Sequence, residues 1–389
     1  MKRINIIALL LLVLWQGGRS QTVLEQIEQN NTILSALRKQ ADAEKIGNRT
    51  GLNPENPEVE FAYLWGNKAI GGNRTDMSVT QSFDFPTAYH YKRKVADEKN
   101  KQVDLKYLME RKDILLQAQQ LCTELTYQNA LHKNLSSRLH YAESIANAYG
   151  EKYKTGESNV LDFNRAKLNL SSARKELSAC QIDRDYLLAE LARLNGGIAI
   201  DYTVLHFEPV WVSPDFETLY AELRAKNLSL LYLQQETVVS KESEKLQRSL
   251  NLPKLSAGYM SEKVMTEHFQ GVAVGVSIPL WENKNTVRQL RAQTLANQAT
   301  EEDANLRYRN EASALHKKAT HLLRVVADYK ANALSADSSE LLKKALDLGE
   351  VSLTDFILEM DMYLDVSNGL LEAERDLQHA IEELYQYFQ

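Results

Sequence analysis

Two cysteines, Cys122 and Cys180, and eight histidines hold most of the nucleophilic, redox and soft-metal potential of this 389-residue chain. The histidines are scattered, and no zinc-ligand set is expected from them. The cysteines are far apart and form no C-x-x-C motif, which excludes a metal cluster or a dithiol redox centre. Acidic residues recur along helical faces, where solvation accounts for them more simply than acid–base pairing. No glycine-rich phosphate loop, nucleophile elbow or aromatic–basic patch is present. Neither an enzyme nor a nucleic-acid-binding protein is expected, and no cofactor or metal.

The one covalent step that the residues suggest is a disulfide. Cys122 continues Leu108 and Leu115 at seven-residue spacing, and Cys180 lies on the row Ala166, Ala173, Cys180, Leu187, Leu194. The midpoint of the two cysteines is residue 151, inside a turn expected between Gly150 and Gly156. Antiparallel helices would then hold the two sulfurs at similar heights, so a Cys122–Cys180 bond pinning this hairpin is the expectation. Two buried free thiols are the alternative.

The compartment can be read from the N-terminus. Lys2 and Arg3 precede an apolar run over residues 6–15, followed by Gly17, Gly18 and Ser20. A basic start, a short apolar core and small residues make an export signal over residues 1–20, too short to span a bilayer. No cysteine lies near the cleavage site, so a lipid anchor is not expected. Loss of Lys2, Arg3 and Arg19 leaves 43 bases against 52 acids, and the charge moves from -6 to -9.

What positions these residues is mainly helix. There are only 16 glycines and 7 prolines, and the prolines stand at 54, 57, 86, 209, 214, 253 and 279. Proline breaks helix interiors, so the proline-free stretches after 86 and after 279 predict long helical hairpins over about 88–195 and 282–388. Heptad rows support this: Phe163, Leu170, Leu177 and Leu191 in the first, and Phe356, Tyr363, Leu370, Leu377 and Leu384 in the second.

The chain also repeats itself. Asn56-Pro57-Glu58-Val59-Glu60-Phe61-Ala62-Tyr63 resembles Leu252-Pro253-Lys254-Leu255-Ser256-Ala257-Gly258-Tyr259 at an offset of 196. At an offset of 193, Phe85-Pro86 matches Ile278-Pro279, Gly156-Glu157 matches Gly349-Glu350, and Asp162-Phe163 matches Asp355-Phe356. The change of offset falls where Gly66, Gly71 and Gly72 suggest a hairpin loop. The expected fold class is mixed α and β, mainly α: a duplicated helix, β-hairpin, long helix, helix unit. The repeats are 21–196 and 217–389, joined by a connection at 197–216.

Strands are expected at about 57–65, 77–86, 253–262 and 270–279. Phe61, Tyr63 and Trp65 alternate with Glu60, Ala62 and Leu64, which puts the aromatic residues on one face, and Val272, Val274 and Val276 alternate with Ala273 and Gly275. One apolar face and one small or polar face suit strands between lipid and a wet lumen, with those six residues toward lipid. Four strands cannot close a membrane barrel, which needs about 8. Open edges in lipid leave backbone groups unpaired at several kcal/mol each. Copies must therefore share the barrel. A dimer would supply eight strands and a trimer twelve.

These features together resemble the TolC-like outer-membrane efflux family over essentially the whole mature chain. The carriers are Tyr153-Lys154-Thr155-Gly156 leading to Leu161-Asp162-Phe163, and Leu348-Gly349-Glu350 leading to Thr354-Asp355-Phe356, beside the paired strand–proline segments. The resemblance implies a homotrimer with a 12-stranded β-barrel in the outer membrane, continued through the periplasm by a 12-helix α-barrel. It implies a passive duct, fed by an inner-membrane efflux pump through a periplasmic adaptor, with outer-membrane lipid as its other partner. Gly156 and Gly349 match the helix tips where the adaptor docks, and Asp355 matches an acidic position at the closed entrance. The acid expected three residues later is replaced by Leu358. The mature chain is short for this family, which points toward its cation-efflux subfamily. The alternative is a secreted periplasmic coiled-coil structural or adaptor protein without a channel.

Overall fold

The computed structural model describes residues 20–67, 72–264, 267–281, 283–333 and 339–386. The expected export signal lies outside these residues apart from Ser20, and so do Gly71 of the hairpin loop and the last residues of the second helical hairpin.

Proline placement explains the helix lengths. Six of the seven prolines sit in non-helical backbone. The seventh, Pro86, opens a helix, where its missing N–H leaves nothing unsatisfied. In chain order the elements are α1 (Ser20–Asn30), α2 (Thr32–Gly47), β1 (Glu58–Leu64), β2 (Arg74–Phe83), α3 (Pro86–Thr155) and α4 (Val160–Leu194). They continue with α5 (Phe216–Lys226), α6 (Leu228–Leu250), β3 (Lys254–Val264), β4 (Glu267–Ser277), α7 (Thr286–Ala333), α8 (Ser339–Asp347) and α9 (Leu353–Leu384). Gly150, expected in a turn, lies inside α3, which runs on to Thr155.

The chain forms two compact units. One comprises Ala36–Met109 and Asn227–Arg307 and holds the sheet. Its four strands are antiparallel in the order β1-β2-β3-β4, so β1 and β4 are its edges among the described residues. β2 starts at Arg74, earlier than the alternation suggested, because the ladder with β3 continues as far as Arg74 opposite Val264.

The other unit comprises, among the described residues, those of 20–35, Glu110–Lys226 and 308–386. Its core follows the heptad rows: Ala166, Ala173, Cys180, Leu191 and Leu194 of α4 are buried, as are Phe356, Leu377 and Leu384 of α9. In α1, Val23 and Ile27 join Cys122, Leu125, Leu191 and Leu194 in one apolar cluster. The 197–216 connection has no helix or strand before Phe216, and its carbonyls find side-chain donors instead. Asn129 Nδ2 donates to the oxygens of Tyr202 and Val204, each at 3.1 Å.

The expected disulfide is absent, and the reason is the true centre of the α3–α4 hairpin. Arg138 meets Glu176, and Arg184 donates to Asn129 Oδ1 at 2.7 Å, pairs centred near residue 157 rather than 151. Because α3 continues through Gly150, Cys122 stands opposite Leu191 and Leu194, while the Cys180 thiol donates to Gln128 Oε1 at 3.2 Å. Both cysteines are buried free thiols.

Candidate functional site: a two-faced sheet and two matched helical turns

The sheet has two chemically opposite faces, and the register decides which residue falls on which. Directly paired residues project to the same side. Phe61 pairs with Met77, Met77 with Ser261, Val79 with Tyr259, and Tyr259 with Val272. Leu255 pairs with Val276 and Ala257 with Val274. One face thus collects Val59, Phe61, Tyr63, Met77, Val79, Phe83, Leu255, Tyr259, Val272, Val274 and Val276. Toward the β3–β4 turn the same face becomes polar, with Ser261, Lys263, His268 and Gln270.

The opposite face carries Glu60, Asp76, Ser78, Thr80, Ser82, Ser256, Gly258, Glu262, Gly271, Ala273 and Gly275, with the exposed Leu64, Met260 and Phe269 toward the hairpin turns. Small residues here are a geometric requirement. A Cβ on Gly258 would stand 2.7 Å from the Val79 carbonyl oxygen. Arg74 on this face bonds Asp76 at 2.7 Å and Glu262 at 3.2 Å.

The apolar face lies uncovered. Val272 is 88% exposed and Phe61 66%. Tyr63, Trp65, Val274 and Val276 are exposed as well, and the Tyr63 and Trp65 rings meet edge to face with centroids 5.6 Å apart. Soluble monomers seldom leave an apolar patch of this extent open to water. Among the described residues no helix is long and apolar enough to cross a membrane.

The two glycine turns are built alike. Gly156 has φ 78° and Gly349 φ 75°, the left-handed region that glycine enters without strain. At the first turn the Gly156 N–H donates to the Tyr153 oxygen and the Glu157 N–H to that of Lys152. At the second, Gly349 donates to Leu346 and Glu350 to Ala345, the same pair of bonds 193 residues on. Both are Schellman caps. Each is followed by a side-chain cap: Asn159 Oδ1 accepts from the Asp162 N–H at 2.9 Å, and Ser352 Oγ from the Asp355 N–H at 3.1 Å. Nothing would crowd a Cβ at either glycine, so both turns are open to solvent.

Asp355 is exposed in the first turn of α9, and its carboxylate accepts from the Ser352 hydroxyl at 2.6 Å. These bonds are those of a carboxylate at a helix start capped by Ser352, a place where the helix dipole favours negative charge. Phe356 and Met360 beside it pack with Ile145, Ala146 and Ala166, so helices of both hairpins meet in one core beneath the turns.

Sequence reasoning missed the polar contacts between hairpins. Arg138 bridges Glu176 of α4 and Asp361 of α9, the latter at 2.9 Å. His379 lies between Glu124 at 3.0 Å and the buried Glu382 at 3.3 Å. Burial alone would lower the His379 pKa, but hydrogen bonds and charge from the two carboxylates raise it to about 9. The Arg138–Asp361 and His379–Glu124 pairings have no linear signature, because their partners lie more than 200 positions apart. A readable signal was overlooked at Asn31 and Asn227, offset by 196. Each side chain caps the following helix, through the Leu34 and Leu230 N–H groups.

No family model and no curated protein sequence matches the chain. Solved structures do. The Campylobacter jejuni CmeC outer membrane channel superimposes with TM-score 0.79 at 14% identity, covering 95% of this chain and 85% of that one. The outer membrane protein VceC of Vibrio cholerae gives 0.76 at 12% identity, over 95% and 96%. CusC, solved in a study of transmembrane channel formation, gives 0.75 at 13%, over 94% and 91%. The chain therefore has the TolC-like fold of the outer-membrane channels, over nearly its full length.

Proposed function

We propose that this chain is one subunit of an outer-membrane efflux channel, a passive exit duct and not an enzyme. The observation that carries the reading is the sheet: its apolar face is exposed, its other face is polar or small except for Leu64, Met260 and Phe269 toward the hairpin turns, and the outer edges of β1 and β4 are unpaired among the described residues. Lipid is the environment in which such an apolar face is stable, and a shared barrel is the arrangement that satisfies such edges. Three copies, each placing β1 beside β4 of the next, would give twelve strands with the small and charged face inward. The matched glycine turns at Gly156 and Gly349 support descent from a duplicated unit.

On this reading the Gly156 and Gly349 turns are the docking points for a periplasmic adaptor that links the duct to an inner-membrane pump. Asp355 lies six residues beyond Gly349 and would contribute an acidic ring at the entrance. Cation cargo is consistent with that ring. The coiled-coil alternative offers no use for an exposed Phe61, Trp65 or Val272.

The test is to express the full chain with its export signal, fractionate the membranes, and size the detergent-extracted protein. A heat-modifiable trimer in the outer-membrane fraction that conducts ions after reconstitution is expected. A soluble periplasmic monomer would end the channel reading.

A further inference from the structure

Beyond β4 the chain changes character in a fixed order. The apolar face of the strand ends at Val276, and the exposed residues Ile278, Leu280 and Trp281 follow, Trp281 being 80% exposed. Then come Lys284, Arg288 and Arg291, all exposed. Across residues 277–300 the sole acid is Glu282, and the first acids beyond are Glu301, Glu302 and Asp303. Helix α6, which leads into β3, has a matching stripe at Lys241, Lys245 and Arg248, spaced i, i+4, i+7 on one face.

The two stripes are on the same side. α6 and α7 run antiparallel, joined by the Ser240–Thr294 hydroxyl pair at 2.8 Å and by Asn283 Nδ2 donating to the Leu250 oxygen at 3.3 Å. Lys241 follows Ser240 by one residue, and Lys284 stands in the turn that leads into α7. Arg288 and Arg291 likewise follow the half-buried Val287 and Leu290. One residue is about 100° of helix rotation. In an antiparallel pair, equal rotation past the contact line turns both stripes toward the same side. A cavity of about 380 Å³ lies along the α6 stripe, lined by Val238, Lys241, Glu242, Glu244, Lys245 and Arg248.

Part of this charge is already matched. Lys245 pairs with Glu242 at 2.7 Å, and Arg248 pairs with Glu244. Lys241, Lys284, Arg288 and Arg291 have no ion pair among the described residues. An apolar strand face, then an exposed tryptophan, then unmatched bases is the profile of a membrane boundary, where cations meet lipid phosphates.

We propose that the side of the α6–α7 pair bearing Lys241, Lys284, Arg288 and Arg291 binds the anionic phosphodiester headgroups of the lipid leaflet at the foot of the sheet. The proposal rests on the sheet lying in a membrane. The partner is set by charge complementarity and by continuity with the lipid face through Trp281.

The test is native mass spectrometry of the full-length assembly in detergent, with equal amounts of phosphatidylglycerol and phosphatidylcholine. The wild type should retain phosphatidylglycerol with a preference of about tenfold or more, as expected for several bases near phosphate. The K284Q/R288Q/R291Q variant should bind the two lipids equally. A control K317Q/K318Q/R324Q variant, elsewhere on α7, should keep the preference. No preference in the wild type, or equal loss in the control, would overturn the proposal. So would dissociation of the triple variant into monomers, which would make this side an interface between copies. The membrane reading is judged separately, by resistance of both proteins to alkaline extraction from bilayers. Wild type that resists extraction but shows no preference defeats the headgroup proposal alone.

Discussion

The Tyr329 side chain of α7 closes on the backbone of Gly369 in α9, so that a Cβ at 369 would meet its hydroxyl oxygen at 3.0 Å and ring carbons at 3.2 and 3.3 Å. A glycine inside a helix costs roughly 1 kcal/mol relative to alanine, and here the cost is offset by close approach of two helices. Tyr329 is packed beside Val326, Ala373 and Leu377, so its ring has little room to withdraw. G369A is therefore expected to destabilise by about 1 kcal/mol, crowding outweighing helix propensity. Removing the closest atom in Y329F/G369A should recover much of it. Denaturant unfolding checks both, and a stabilised G369A would show that the ring yields freely.

The His379 contacts make stability pH-dependent. Its folded pKa is raised from 6.5 to about 9, so its contribution is complete below pH 6.5 and is lost as pH rises through about 9. The stability difference between wild type and H379Q should shrink across that window and flatten above it. A difference that grows with pH would mean that the histidine is not held charged between Glu124 and Glu382.

The glycine turns predict paired effects. At φ 78° and 75°, with open space around them, G156A and G349A should each lose about 1–2 kcal/mol to backbone strain alone. S352A and N159A remove the following caps and should each cost about 1 kcal/mol. Faster amide exchange should be confined to the first turn of α9 or of α4. Under the proposed function, bulky replacements of the glycines should also weaken adaptor binding in a pull-down.

Adjacent positions of β4 should respond oppositely to charge. Val274 pairs with Ala257 on the apolar face, and Ala273 pairs with Gly258 on the small face. V274R should cost about 2–4 kcal/mol and impair membrane insertion, as a charge facing lipid does. A273R should insert and reduce single-channel conductance. Equal tolerance of both would contradict lipid on one side and lumen on the other.

Thiol counting checks the cysteines. Burial, with Glu382 nearby, pushes the Cys122 pKa up to about 12, so the thiol is both sheltered and unreactive. Slow labelling of the native protein and two free thiols per unfolded chain are expected. A chain with none would restore the disulfide.

Much of the fold was legible because its signals are periodic and local. Proline positions bounded the long helices, heptad rows named Ala166, Ala173, Phe356 and Leu377 as core, and alternation identified Phe61 and Val272 as one face of a strand. Glycines at 156 and 349 marked the turns because backbone geometry there demands a residue without a side chain. The disulfide misled because the hairpin centre depends on where α3 stops. Helix propensity allowed Gly150 to be a turn, whereas the helix continues through it to the Schellman cap at Gly156.

Sequence by itself determined most of the elements and the alternating chemistry of the strands, since each follows from residue type at short spacing. Tertiary structure decided what alternation cannot: that four separate strands share one register, so that Phe61, Val79, Tyr259 and Val272 fall on a single face. It also decided which distant charges meet, at Arg138 and at His379, and that the bases of α6 and α7 turn to one side. Those relationships depend on helix rotation and strand register, which are fixed only when the elements pack.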